Sequence, residues 1–177
     1  ATALLMPPSA SGSVETDSDR DARMAWWREA RFGMFIHWGI YSGLAGNWEG
    51  KPVTSGGTDW IQSLVKADTD TYAEAALSKF QPGPEFAREW AKLAANAGCR
   101  YVVVTTKHHD GFSLSASKFG DFNAGAKLNR DLLKEIVEAF RAAGLRVGFY
   151  HSLIDWHHDQ YAYLKSQELP HPLAGQP

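Results

Sequence analysis

An α/β fold built as a ladder of βα units is what this sequence predicts, and three observations carry the prediction. Three short apolar runs of strand character, Met34-Phe35-Ile36, Tyr101-Val102-Val103-Val104-Thr105 and Val147-Gly148-Phe149-Tyr150, are separated by segments with helical periodicity. The middle run is apolar on both faces, as in a parallel strand covered on both sides. Polar residues collect directly after each run, which is where parallel α/β folds place their ligands.

In chain order, residues 1–17 are rich in Ser, Ala, Pro and acidic side chains and read as a loosely ordered leader. Within it, Ala3-Leu4-Leu5-Met6 followed by Pro7-Pro8-Ser9-Ala10-Ser11-Gly12-Ser13 resembles the tail of a signal peptide, which points to a secreted or periplasmic protein. A plain leader on a cytoplasmic chain is the competing reading, because no charged n-region precedes the apolar residues. The folded part is expected over residues 18–160, with a Pro-bounded tail at 161–177. From Ser18, Met24, Trp27, Ala30 and Arg31 recur at helical spacing until Phe32-Gly33 breaks the pattern before the first strand. Residues 43–70 hold five Gly, one Pro and many polar side chains, and read as a long connecting loop. Pro84 suits a first helical turn; Phe86, Trp90, Leu93, Ala94 and Ala97 then share one face until Gly98. After the second strand, Asn129 is the expected N-cap of a helix whose apolar face is Leu132, Leu133, Ile136, Val137 and Phe140, closed by Gly144. The third strand follows. No fourth is visible after Trp156, and three βα units are too few to close an eight-stranded barrel, so their edges would stay open.

Composition narrows the function. The 177 residues, 44% hydrophobic, suffice for one core, and 18 Lys+Arg against 20 Asp+Glu leave a net charge of -2. That balance provides no field to gather a phosphate backbone or anionic lipid, so neither nucleic acid nor membrane is expected as a partner. No stretch is long enough for a spanning helix. The single Cys99 excludes an intrachain disulfide and reads as a buried thiol. Seven Trp, six Tyr and nine Phe fit either a core or stacking against sugar faces, with the core as the default.

The three strand ends carry His37-Trp38-Gly39, Lys107-His108-His109-Asp110-Gly111-Phe112 and His151-Ser152-Leu153-Ile154-Asp155-Trp156. One such histidine alone would read as structural; recurrence at the same end of successive strands reads as a site. Zinc held by His37, His108, His109 and His151 is one rival, but adjacent His108 and His109 on an extended strand end should point to opposite sides, and no Cys or HExxH helix supports them. No metal and no cofactor is therefore expected. Ser152 lies in no Gly-x-Ser-x-Gly elbow, which argues against a nucleophilic serine. Imidazoles, indoles and a few carboxylates suit a neutral polyhydroxylated ligand, because each hydroxyl both donates and accepts and so does a neutral imidazole.

Phe32-Gly33-Met34-Phe35-Ile36-His37-Trp38-Gly39, Thr106-Lys107-His108-His109-Asp110-Gly111-Phe112 and Gly144-Leu145 through Tyr150-His151-Ser152-Leu153-Ile154-Asp155-Trp156 resemble, in order and spacing, the opening motifs of the α-L-fucosidases of glycoside hydrolase family 29. The similarity covers roughly residues 22–160. It implies a partial (β/α)8 TIM-type barrel of about three βα units, open unless completed by self-association, and a retaining hydrolase of terminal α-L-fucosyl linkages in fucosylated glycans. It further implies that His37, His108 and His109 hydrogen-bond fucose hydroxyls and that Tyr150 or His151 approaches from the third strand. Where the family usually has Glu-Trp-Tyr, with the Glu on a fucose hydroxyl, this chain has Asp59-Trp60-Ile61 and a carboxylate shorter by one methylene. Trp38 and Trp48 fit sugar contact or loop packing equally. Asp110 and Asp155 are in-chain candidates for catalytic carboxylates, though holding imidazoles or loop amides suits them better. By the resemblance, the family nucleophile ends the fourth strand and the acid/base follows later, both beyond Pro177. Three origins fit: the N-terminal part of a longer enzyme, a short enzyme that forms a homo-oligomer to cover its edges and supply a carboxylate, or a fucose-binding module without turnover.

Overall fold

Hydrophobic period and capping residues explain where each element starts and stops. The computed structural model describes residues 14–158, which divide after Arg31 into two units. Of the expected leader 1–17, residues 1–13 lie outside the described residues, as does the expected tail, whereas Thr16 and Asp17 belong to the start of α1 (Asp17–Ala30). The first unit carries α1, opened by a reciprocal capping box in which Thr16 accepts from the Asp19 N–H at 3.1 Å and the Asp19 carboxylate accepts from the Thr16 N–H at 3.3 Å.

The second unit begins with β1 (Gly33–Ile36). It continues through a 3-10 helix (Ile40–Leu44), β2 (Asn47–Trp48), β3 (Lys51–Pro52) and a second 3-10 helix (Thr58–Trp60). Three helices follow, α2 (Ile61–Val65), α3 (Thr69–Lys79) and α4 (Phe86–Asn96). It ends with β4 (Tyr101–Lys107), α5 (Ala124–Leu128), α6 (Leu132–Ala142) and β5 (Arg146–His151). The expected strands are β1, β4 and β5, and they form one parallel sheet in that order, with Phe35 opposite Val103 and Val103 opposite Gly148. The two crossovers carry α4 and α6, as a βα ladder requires. Val102 and Val104 of β4 are fully buried in a core shared with Ala91 and Ala94 of α4 and Leu132, Ile136 and Phe140 of α6. Both outer strands have only β4 as a partner among the described residues, and Phe35 and Phe149 remain about half exposed.

Two expectations are corrected. Asn129 does not start α6: it sits at φ 53° as the C-cap of α5, and Asp131 caps α6 by accepting from the Lys134 N–H at 2.9 Å. Either side chain suits a cap, and the intervening short helix, capped at its start by Asn123, decides between them. Residues 43–70 are not an unstructured loop. They hold the β2–β3 antiparallel ribbon, a 3-10 turn and α2, elements too short to show a period. Helix α3 also escaped the periodicity, because alanines supply much of its buried face. Among the described residues no helix is long and apolar enough to cross a membrane.

Candidate functional site

The site is assembled by the ends of β1, β4 and β5 and by the 3-10 turn that carries Asp59. At the end of β1, the buried Thr105 hydroxyl of β4 accepts from the Trp38 N–H at 2.9 Å and donates to the Trp38 carbonyl at 2.5 Å. This clasp satisfies both backbone groups of the residue after His37 and holds the chain against β4 beyond the last ladder pair. Alternation then sends His37 and Trp38 to opposite sides. His37 has its ring 4.7 Å from that of His108, 5.8 Å from Tyr41 and 6.5 Å from Tyr150. Trp38 goes into a cage of Phe80, Phe86 and Trp90 at 4.9–5.0 Å and takes no place beside the histidines. Trp48 packs, partly buried, against the core.

His108 and His109 lie side by side, with ring centroids 4.3 Å apart. The expectation that they diverge is overturned, because the strand register slips between Thr105 and Lys107 and both histidines occupy the turn that follows, where alternation no longer applies. Asp59 Oδ2 stands 3.5 Å from both His37 Nε2 and His108 Nε2, so the shorter carboxylate does reach the cluster. Burial, with His109 and His37 adding and Asp59 opposing, pushes His108 down to about 4; it is neutral at pH 7. Its Nδ1 is buried with no hydrogen-bond partner, which is least costly if that atom is the bare lone pair and Nε2–H faces Asp59. His109 is lowered too, chiefly by burial, and is edged by Trp60 at 5.3 Å and Trp156 at 5.4 Å.

Of the two candidates on β5, Tyr150 joins the cluster, its ring stacked on His108 at 5.9 Å, whereas His151 turns to the Thr106 hydroxyl at 2.8 Å. Asp110 is buried and accepts from the Tyr72 hydroxyl at 2.8 Å and the Phe112 N–H at 3.2 Å; burial raises it to about 6. Asp155 pairs with Lys107 at 2.8 Å and accepts from the His157 N–H at 3.1 Å. Both carboxylates are engaged in holding loops. Gly111, at φ +85°, is required between them: a Cβ there would run into the Asp155 carboxylate. Sequence reasoning missed Thr105 and Tyr41 as parts of this construction, and placed Trp156 at a strand end without a role. It weighed Ser152 only as a nucleophile, and no spacing rule links Ser152 to His109, 43 residues away. The donor atoms of His37, Asp59 and His108 fall within 4.8 Å of one another, a set different from the four histidines weighed for zinc. The bare His108 Nδ1 lacks the acceptor that normally orients a ligating imidazole. A groove of about 960 Å³ between α4 and α6 contains none of these residues.

Fold and site together define a parallel α/β protein with a cluster of imidazoles, one carboxylate and two indoles at the carboxyl ends of its strands. The chain belongs to the α-L-fucosidase family, whose pattern matches residues 8–172. It is 37% identical to the tissue α-L-fucosidase of Homo sapiens over 154 residues, 77% of this chain and 31% of that protein. The chain spans about a third of the length of the curated relatives it matches. A covalent intermediate of a Bacteroides thetaiotaomicron α-L-fucosidase, trapped with 2-fluoro-fucosyl fluoride, superposes with a TM-score of 0.73 at 36% identity, covering 84% of this chain and 34% of that one. An α-L-fucosidase from Lactobacillus casei in complex with its α-L-fucose product gives 0.72 at 39% identity over 78% of this chain and 42% of that one.

Proposed function

We propose that this chain forms the fucose-binding part of a retaining α-L-fucosidase acting on terminal α-L-fucosyl linkages of fucosylated glycans. The observation that carries the reading is the convergence of His37, Asp59, His108, His109 and Tyr150 from three strand ends and one turn. The ring nitrogens of His37 and His109 offer hydrogen-bonding groups to sugar hydroxyls, Asp59 accepts, and Trp60, 37% exposed, offers an indole to an apolar sugar face. Retention needs two carboxyl groups about 5–5.5 Å apart, one attacking the anomeric carbon and one protonating the leaving oxygen. Asp110 and Asp155 are tied to Tyr72 and Lys107, so the pair is assigned to polypeptide outside the described residues.

The same polypeptide would supply the strands that close a (β/α)8 barrel on β1 and β5. Closure by a second copy of this chain is the other reading, favoured by the two open strand edges and by Phe35 and Phe149 exposed beside them. A secreted or periplasmic location is proposed from residues 3–13 alone; detection of the protein in the cytosolic fraction of its own cells would reject it. The central experiment is release of fucose from a chromogenic aryl α-L-fucoside over a wide range of protein concentration, alongside titration with free fucose. Binding of fucose that weakens roughly tenfold or more in His37→Ala, with the fold intact by circular dichroism, is expected. Unchanged binding in that variant sinks the assignment.

A further inference from the structure

Ser152 is 4% exposed and is tied twice to the end of β4: its N–H donates to the Lys107 carbonyl at 3.0 Å, and its Oγ lies 2.7 Å from His109 Nδ1. The same Oγ is 2.8 Å from the Ile154 carbonyl. A serine hydroxyl has one hydrogen to give. If it goes to the imidazole, two oxygens face each other at 2.8 Å with no proton between them. If it goes to Ile154, Oγ is free to accept from His109 Nδ1–H, and both contacts become hydrogen bonds. The second arrangement satisfies two buried pairs where the first satisfies one.

We infer that Ser152 is a positioning residue that holds His109 in the Nδ1–H tautomer, so that Nε2 meets the ligand as a hydrogen-bond acceptor. The ring is fixed further from both sides: the Trp156 N–H donates to the His109 carbonyl at 2.7 Å, and Trp60 and Trp156 edge the imidazole. His108, by contrast, leaves Nδ1 bare and directs Nε2 at Asp59. Adjacent histidines thereby acquire opposite polarity. His109 accepts from a hydroxyl that donates, while the Nε2–H of His108 faces Asp59 Oδ2 at 3.5 Å. A ligand lacking the donating hydroxyl at His109 leaves a lone pair unanswered, so the device selects for a hydroxyl over an ether or a deoxy position there.

The inference rests on the fucose-binding reading for its ligand, but not for its geometry, and the experiment separates the two. Imidazole 15N chemical shifts of the ligand-free full chain, at a pH where the histidines are neutral, report the tautomer of His109 without any sugar. The expected result is a protonated Nδ1 in the unmodified protein, a mixture of tautomers in Ser152→Ala, and restoration in Ser152→Thr, which keeps the hydroxyl. Affinity for free fucose should fall about tenfold in Ser152→Ala, the loss of one hydrogen bond's selectivity. A His109 protonated at Nε2 in the unmodified protein overturns the inference whether or not any variant folds. So does a tautomer unchanged in Ser152→Ala. A correct tautomer in a chain that binds no fucose leaves the positioning intact and rejects the ligand.

Discussion

At the scale of single residues, titration links site and stability with opposite signs. His108 is pushed from 6.5 to about 4, so the unfolded chain binds the extra proton between those values and stability is lost as pH falls through that window. Asp110 is raised from 3.8 to about 6, so the folded chain binds the extra proton and its contribution, full at pH below 4, is lost as pH rises through 6. Each shift is worth about 3 kcal/mol, and the two largely offset each other. His109 and His151 are lowered as well, in the same sense as His108, which tips the balance toward loss of stability in acid. Asp110→Asn should therefore steepen the fall in melting temperature between pH 6.5 and 4. A variant whose profile runs parallel to that of the unmodified protein would show that Asp110 does not titrate in that window.

At the scale of elements, the clasp between β1 and β4 sets the site. Thr105→Val keeps the shape of the side chain but leaves the buried N–H and carbonyl of Trp38 without their partner. A loss of about 2 kcal/mol in urea unfolding is expected, together with weaker fucose binding because His37 loses its fixed backbone. Unfolding unchanged within error would mean that water replaces the hydroxyl. The turn after β4 is equally constrained. Gly111→Ala must place a methyl group against Asp155 at a left-handed φ, and should cost 1–3 kcal/mol or about that. Rescue by Asp155→Ala would show that the overlap, rather than the backbone angle, is the larger part.

For the whole molecule, the open edges are the dominant fact. An unpaired strand edge presents free backbone N–H and C=O groups to another strand, and β1 and β5 have a single strand partner each among the described residues. Sedimentation velocity of the chain should show association that strengthens with concentration, and Phe35→Lys with Phe149→Lys should weaken it. A sharp monomer at every concentration would reject closure by copies and leave closure by further polypeptide. Fucoside turnover follows the same logic: specific activity that rises with concentration goes with closure by copies, and its absence goes with a catalytic pair supplied from elsewhere.

Periodicity and local motifs by themselves determined the three strands, the crossover helices α4 and α6, and the gathering of histidines at one end of the sheet. These are short-range properties: a buried parallel strand is apolar throughout, a crossover helix repeats its apolar face, and the residue after a strand is placed by the strand. The family was legible for the same reason, since three linked motifs are contiguous strings. Everything that depends on which distant groups meet had to wait for the tertiary structure. His108 and His109 share a side because a register slip and a turn end the alternation, and Trp38 leaves the site for a cage built from Phe80, which caps α3, and from α4. Asp110 is committed to Tyr72, and Ser152 serves His109 across 43 residues. A hydrogen bond's partner is chosen by the packing of several elements at once, and that choice is not written in the spacing of any one of them.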